Sequence, residues 1–290
     1  MIPPDTGRQR PVAFSANMRT VPSDTVLLSQ RPVHRMGFGA MQLPGPGVLG
    51  PPGDHDQALT VLRRAVDAGV NHIDTAQFYG PNVANELIHE ALHPYPADLV
   101  LVSKVGAARN EEGHWLSAQR PAELRAGVEA NLATLQLEQI PVVNLRRHPE
   151  SEVPFGEQVE AMMAMCREGL IGGIGLSNVT LDEFHVAQGQ TEVACVQNAF
   201  ILIDRSDQDV FDACHAHGVP YVPRAALRRR RLRWLWPGCC ISRPPCSSFR
   251  ALRRSGTWRK TWPQPTSSSM RRPLPRCPRW HPAAPPCEER

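Results

Sequence analysis

The stretch AVDAGVNHIDTAQFYG, residues 65–80, joins the end of a helical pattern to a short apolar strand that stops at polar residues. The helical part ends at Gly69, and glycine is favoured just after the last turn of a helix. The strand-like run VNHIDTA (70–76) follows at once. A helix that leads directly into a buried strand is typical of parallel sheets whose strands are joined by crossover helices. This stretch therefore predicts an α/β fold with a parallel sheet.

The same alternation continues on both sides of this stretch. Six further strand-like runs are mostly apolar, which indicates burial on both faces of the sheet. They are MGFGAMQL (36–43), DLVLVSKV (98–105), VVNLR (142–146), IGGIGLSN (171–178), VACVQNAF (193–200) and VPYVP (219–223). Runs with helical periodicity separate them. Seven strands joined by helices predict a (β/α)₈ barrel, a TIM barrel, that is truncated after strand 7.

The composition changes sharply after Pro223. Residues 224–290 contain 16 Arg, 1 Lys and 2 acidic residues, a net charge of +15, whereas residues 1–223 contain 15 basic and 26 acidic residues, a net charge of −11. Strand and helix periodicity also stop there. The sequence thus predicts an N-terminal extension (1–30), an incomplete barrel (31–223) and a basic tail (224–290) that is disordered.

Several classes of protein are disfavoured. No apolar run reaches the ~18 residues of a membrane helix, and the first residues contain no apolar segment suited to a signal peptide. We therefore expect a cytoplasmic protein that does not bind membranes. Cys166, Cys195 and Cys214 are too far apart for a CxxC pair and lie in apolar runs, which favours buried thiols and predicts no metal site.

Polar residues stand at the carboxyl ends of the predicted strands, where the loops of a parallel barrel form its functional sites. They are Asp74 and Tyr79 after the second strand, Lys104 at the third, Arg146 at the fourth, Ser177 and Asn178 at the fifth, and Gln197 at the sixth. A lysine buried at a strand end needs a compensating carboxylate, and Asp74 on the neighbouring strand can supply it. A tyrosine beside such a pair is suited to general acid catalysis.

Through these residues, the chain from Met36 to Pro223 resembles the aldo-keto reductases, NADPH-dependent carbonyl reductases built on a (β/α)₈ barrel. The resemblance rests on the shared order of MGFGAMQL, AVDAGVNHIDTAQFYG followed by NELI, LVSKV, LIGGIGLSN and VQNAF. It implies that Tyr79 donates the proton, that Lys104 tunes Tyr79 and that Asp74 orients Lys104. It also implies two groups of cofactor-binding residues, Gly37, Gly39, Ala40 and Met41 along the pocket and Ser177, Asn178 and Gln197 on the nicotinamide carboxamide. A purely structural ion pair would explain these residues singly but not as a set.

One position departs from the family pattern. The family usually has histidine directly after the leucine that ends the fourth strand, whereas Arg146 follows Leu145 here and His148 lies two residues further on. Arg146 therefore takes the family's histidine position, and we predict that it donates a hydrogen bond to the substrate carbonyl oxygen. His148 is expected just beyond the strand.

The tail has the composition of GC-rich coding DNA translated in the wrong frame. When the last base of each codon is joined to the first two of the next, permitted codons for CSSFRALRRSGTWRKTWPQPTSSS (246–269) give LLIPGTSSVGHLEEDMAAADVEL. This hidden segment resembles the eighth strand and cofactor-binding helix that the family requires. We therefore interpret residues 224–290 as the product of a frameshift, either a mutation or a sequencing error. The rival interpretation, a basic arm that binds nucleic acid, predicts no coherent alternative frame.

The resemblance predicts NADPH-dependent reduction of an aldehyde or ketone, with a small carbonyl compound as substrate and no nucleic-acid partner. Two alternatives stand beside it: a non-catalytic nicotinamide-binding regulatory protein on the same barrel, and a relic whose basic tail binds nucleic acid. In the family an aromatic residue after the seventh strand stacks on the nicotinamide, and Arg224 takes that position here. The adenosine phosphate site is also missing, so we expect the chain as written to bind NADPH weakly and to have low activity.

Overall fold

The computed structural model describes residues 25–110, 112–200 and 205–223, and the backbone of residues 248–250. The described chain opens with an antiparallel hairpin of β1 (Thr25–Leu28) and β2 (Arg31–His34). Val26, Leu28 and Val33 of this hairpin are buried against a cluster that includes Val100 and Val142, which begin two strands of the main sheet. The hairpin therefore covers the amino-terminal end of the sheet. The sequence did not predict it, and it crosses the predicted boundary at residue 30.

The main sheet is parallel and has seven strands among the residues that the structure describes. They are β3 (Met36–Gly39), β4 (His72–Asp74), β5 (Val100–Val105), β8 (Val142–Arg146), β9 (Ile174–Ser177), β10 (Val193–Gln197) and β11 (Ser248–Arg250). Their order across the sheet is β10-β9-β8-β5-β4-β3-β11. Beyond β10, Tyr221 forms a parallel bridge with Val196, which places the run 219–223 next to the sixth predicted strand. The predicted α/β class and barrel-type parallel sheet are confirmed.

Helices follow the strands and cover the outer face of the sheet. They are α1 (His55–Asp67), α2 (Val83–Leu92), α3 (Pro121–Leu135), α4 (Phe155–Arg167), α5 (Leu181–Gln190) and α6 (Gln208–Ala216). In α1, Leu59, Leu62 and Ala65 recur at helical spacing and are buried. Asp54 caps its start by accepting a hydrogen bond from the backbone N–H of Gln57 at 2.9 Å. Among the described residues, none of these helices has the length and apolar character needed to cross a membrane.

Two short strands lie between β5 and α3 and were not predicted. They are β6 (Ala107–Arg109) and β7 (Trp115–Ser117), which pair antiparallel. Strands of three residues are too short for the alternation of apolar and polar positions that reveals longer ones. This β6–β7 hairpin follows the carboxyl end of β5, so it lies over the end of the sheet where the predicted site residues gather.

The first predicted barrel strand, 36–43, is shorter than expected. β3 ends at Gly39, and a 3₁₀ turn occupies Ala40–Gln42. β3 is paired with β4 only through Phe38 and Gly39, because β4 ends at Asp74. Without a partner beyond that point, the chain leaves the sheet.

The sequence predicted no strand after residue 223, yet β11 lies parallel to β3. Ser248 pairs with Met36 and Phe249 with Gly37. The outer edge of β3 presents backbone N–H and C=O groups that an extended segment can pair with whatever its side chains are. The rest of the tail, including Arg224, and the first residues of the N-terminal extension lie outside the described residues, as do the disorder and the frameshift predicted for the tail.

Candidate active site

A buried lysine–aspartate pair lies at the carboxyl ends of β4 and β5. Nζ of Lys104 donates hydrogen bonds to Oδ1 of Asp74 at 2.5 Å and to the carbonyl oxygen of Thr75 at 3.1 Å. Lys104 is 1% exposed and Asp74 5% exposed. An isolated charge at such a depth would cost several kcal/mol, so each ion needs the other. The structure thus brings together the two residues that the sequence predicted to pair.

Tyr79 lies beside this pair. Nζ of Lys104 is 5.1 Å from the centroid of the Tyr79 ring, and the residue is 2% exposed. Its hydroxyl makes no hydrogen bond with the part of the chain that the structure describes. A phenol held next to a cation, without a protein partner for its hydroxyl, is available to donate a proton to a bound molecule.

A network of buried polar side chains lies behind the pair, and no sequence motif indicated it. The hydroxyl of Thr75 donates to Oδ1 of Asn85 at 2.7 Å, and Nδ2 of Asn85 donates to Oδ1 of Asn131 at 2.8 Å. The hydroxyl of Ser103 donates to the same Asn131 oxygen at 2.5 Å. Thr75 and Ser103 adjoin Asp74 and Lys104 in sequence. The network therefore ties together the ends of β4 and β5 that carry the pair.

Arg146 ends β8 as predicted and reaches the same region. Its guanidinium carbon is 5.0 Å from the ring centroid of Trp115 and 5.9 Å from that of Phe78. Phe78 in turn meets the Tyr79 ring edge to face, with 5.3 Å between centroids. His148 lies beyond the end of β8, as expected. A chain of ring contacts therefore connects Arg146 to Tyr79, and the sequence had singled out neither Phe78 nor Trp115.

The three predicted amide-binding residues come together at the ends of β9 and β10. Ser177 and Gln197 are register partners and are both buried. The backbone N–H of Asn178 donates to the carbonyl oxygen of Gln197 at 3.2 Å, and Asn178 has a left-handed φ of 58°. The side chain of Asn198 holds this turn through both backbone groups of Val179, at 2.7 and 3.1 Å. Oε1 of Gln197 is buried and has no hydrogen-bond partner among the described residues.

The four predicted cofactor residues around β3 lie in different surroundings. A Cβ atom on Gly37 would lie 2.1 Å from Nε2 of His72, so this glycine packs against a side chain inside the barrel. A Cβ atom on Gly39 would meet nothing within 4 Å. Ala40 is fully buried in the 3₁₀ turn, and Met41 is partly buried. Gly39 therefore borders open space at the end of β3, whereas Gly37 fills a tight position below it.

The three cysteines of the described residues are suited to packing. Cys195 and Cys214 are buried and Cys166 is partly buried, and all three are free. Burial raises the pKa of Cys195 and of Cys214 to about 12, so both thiols stay protonated at neutral pH. Within the described ranges, no group of three or more His, Cys, Asp or Glu side chains lies close enough together to hold a metal ion.

A comparison with known families decides the assignment. The profile described as the Aldo/keto reductase family matches residues 35–233, more than half of the chain. The chain belongs to the aldo/keto reductase family. This aldo/keto reductase is 46% identical over 206 residues to pyridoxine 4-dehydrogenase of Escherichia coli K12, an alignment that covers 69% of this chain and 72% of that protein. The predicted family and its oxidoreductase class are confirmed.

Solved structures of other family members share the fold. A glycerol dehydrogenase from Gluconobacter oxydans is similar with a TM-score of 0.64 at 22% identity, covering 73% of this chain and 71% of that one. An aldo/keto reductase from Klebsiella pneumoniae, solved in complex with NADP and acetate, has a TM-score of 0.56 at 26% identity, covering 69% of this chain and 67% of that one. The cofactor of the Klebsiella complex is of the kind that the sequence predicted for this aldo/keto reductase.

Proposed function

We propose that this aldo/keto reductase uses NADPH to reduce an aldehyde or ketone to an alcohol, with Tyr79 as the proton donor. The observation that carries the proposal is the grouping of Tyr79 with the buried Lys104–Asp74 pair at the carboxyl end of the sheet. Family membership supports the class of reaction. The 46% identity to pyridoxine 4-dehydrogenase makes the aldehyde of the pyridoxine skeleton the first substrate to test.

The residues present fit the nicotinamide end of NADPH. Ser177, Asn178 and Gln197 would hold the carboxamide, because Oε1 of Gln197 is a buried acceptor without a partner in the described part of the chain and the carboxamide has N–H groups to donate. The open space at Gly39 faces the same end of the sheet. When bound there, NADPH supplies the hydride.

The side chains of this protein donate the proton and stabilise the charge that its transfer leaves behind. Tyr79 holds the proton that the product alcohol requires, and the Lys104 ammonium stabilises the negative charge left on the tyrosine oxygen. Asp74 keeps the ammonium in place through the 2.5 Å hydrogen bond. Arg146 lies across the aromatic side chains from this group and is suited to donate a hydrogen bond to the carbonyl oxygen as charge develops on it.

The proposal is tested by exchanging tyrosine for phenylalanine at two places. Loss of the hydroxyl in Tyr79→Phe removes the proton donor, so the rate of NADPH oxidation with an aldehyde should fall by about a hundredfold or more. Tyr95→Phe is the matched control, because the Tyr95 hydroxyl donates to the carbonyl oxygen of Leu135, away from the site. An unchanged rate in Tyr79→Phe would contradict the assignment.

We also propose that the barrel part of the chain ends at residue 223 and that the protein is located in the cytoplasm. The described residues contain groups for the nicotinamide only, and the family's phosphate site follows the seventh strand. We therefore expect a chain whose reading frame is restored after Pro223 to bind NADPH more tightly, by orders of magnitude, than the chain as written. Titration of both proteins with NADPH measures the difference, and micromolar affinity in the chain as written would contradict it.

A further inference from the structure

We propose that the rim of this site recognises a flat carbonyl substrate that carries an anionic oxygen, such as an aromatic aldehyde with a carboxylate, and that Arg109 supplies the positive charge for that oxygen. This inference rests on the proposed reduction and adds the substrate class. It comes from residues of the unpredicted β6–β7 hairpin, whereas Arg146 keeps its proposed role at the carbonyl oxygen.

Arg109 is connected to Tyr79 by a series of ring contacts through Trp115 and Phe78. It is the last residue of β6, and only Gly106 separates β6 from β5, the strand that contains Lys104. Within the hairpin it pairs with Trp115, and its guanidinium carbon lies 4.2 Å from the centroid of the indole ring. That distance corresponds to a guanidinium stacked on an aromatic face. The indole is partly exposed, so the stacked pair forms part of the rim.

The charge of Arg109 is not neutralised by the described residues. Its Nη2 donates to the carbonyl oxygen of Gly47 at 3.0 Å, and no carboxylate of the described residues lies within ion-pair distance. Nε and Nη1 are buried and have no hydrogen-bond partner in the described ranges. Burial also lowers the pKa of the guanidinium. The guanidinium charge thus has no carboxylate partner among the described residues, and electrostatic attraction would favour an anionic substituent at the rim.

Arg146 adds a second cation to the same indole. Trp115 also meets Phe78 edge to face at 5.6 Å, and Phe78 meets Tyr79 in the same way at 5.3 Å. The aromatic surface therefore runs from the two arginines to the proton donor. The nearby carboxylate of Asp74 is already engaged by Lys104. A substrate with an aromatic body and an anionic substituent matches this surface in both shape and charge.

A purely structural role for Arg109 makes a different prediction. Its hydrogen bond to Gly47 links the β6–β7 hairpin to the loop after β3, and loss of that link would disturb every substrate equally. A role in anion recognition affects charged substrates alone. The test must therefore compare two aldehydes that differ only in charge.

The experiment measures kcat/KM of the full chain for 4-formylbenzoate and for its methyl ester. In Arg109→Gln the preference for the carboxylate over the ester should fall by about tenfold or more, and Arg109→Lys should retain part of it. Arg167→Gln is the control, because Arg167 is exposed at the carboxyl end of α4, at the opposite end of the barrel. An equal fall for both aldehydes, or no fall, overturns the anion site and leaves the proposed reduction intact.

A second measurement covers a chain that reduces neither aldehyde, which is the result expected if the chain as written binds NADPH too weakly for turnover. Calorimetric titration with the alcohol product 4-(hydroxymethyl)benzoate requires no turnover. Binding by the unmodified chain that weakens by about tenfold or more in Arg109→Gln, and that weakens with added salt, supports the anion site. Absence of binding at millimolar concentration overturns it.

Discussion

His72 and Gly37 show how single residues fit the interior of the barrel. His72 on β4 is fully buried, and its ring occupies the space where a side chain on Gly37 would lie. Gly39, two residues further along β3 on the same face, has no neighbour in that direction. Both glycines belong to the motif that carried the family resemblance, yet only the structure separates the one that packs from the one that borders the site.

Replacing Gly37 with alanine should destabilise the protein. The added Cβ would lie 2.1 Å from Nε2 of His72, so the buried ring must move, and overpacking of this kind costs about 1–3 kcal/mol in free energy of unfolding. Gly39→Ala is the matched control, because its backbone is extended and its Cβ meets nothing within 4 Å. Urea unfolding compares the two variants, and equal losses would show that the close packing at Gly37 is not as described.

His72 should make stability depend on pH. Burial lowers its pKa from 6.5 to about 3, with a smaller effect from His34. Above pH 6.5 both folded and unfolded forms hold the imidazole neutral. As the pH falls from 6.5 towards 3, only the unfolded chain takes up the proton, so this residue removes up to about 1.4 kcal/mol of stability per pH unit. Urea unfolding between these pH values measures the slope, and His72→Gln should reduce it; an unchanged slope would contradict the attribution.

Among the secondary-structure elements, the sequence predicted those that lie in long runs with a clear apolar or helical pattern. β8 has the predicted bounds, Val142–Arg146, because its neighbours on both sides are strands and its residues are buried until Arg146. The β1–β2 and β6–β7 hairpins escaped prediction because they pair locally through strands of three or four residues. Asp74 and Lys104 could be predicted as site residues because they are polar residues at strand ends. Trp115 and Arg109 could not, because they lie in a hairpin that has no periodic sequence pattern.

The polar network between helices and sheet is the element-scale feature most open to test. Asn131 on α3 accepts hydrogen bonds from Asn85 and Ser103 and donates to Gln77 and Gly127. Asn131→Ala removes these hydrogen bonds and leaves the buried Ser103 hydroxyl without its partner, at a cost of about 1–3 kcal/mol for each buried group that stays unpaired.

Thermal and urea unfolding should therefore show a clear loss for Asn131→Ala. Glu129→Ala, an exposed position on the same helix, should change stability by about 0.5 kcal/mol or less. Near-neutral behaviour of Asn131→Ala would mean that water replaces the network and that it does not hold the ends of β4 and β5 together.

For the whole molecule, the sequence predicted the barrel because apolar strands and helices alternate over most of the chain. It also located the change of character after Pro223, from which no site residue could be assigned. The backbone of β11 lies beside β3, the first barrel strand, and the hidden frame that we predicted would encode an apolar strand over the same residues. The side chains that would complete the cofactor site could not be derived from the basic tail, since its composition follows no folding pattern.

The central claim, reduction of a carbonyl group through Tyr79, is tested most directly by following the hydride. NADPH labelled with deuterium at the transferable position is incubated with an aromatic aldehyde and the chain with its frame restored, and the alcohol is analysed by mass spectrometry. We predict one deuterium on the carbon that bears the new hydroxyl, with the yield reduced by about a hundredfold or more in Tyr79→Phe and unchanged in Tyr95→Phe. Unlabelled alcohol, or equal yields from the Tyr79→Phe variant and the parent chain, would contradict the account.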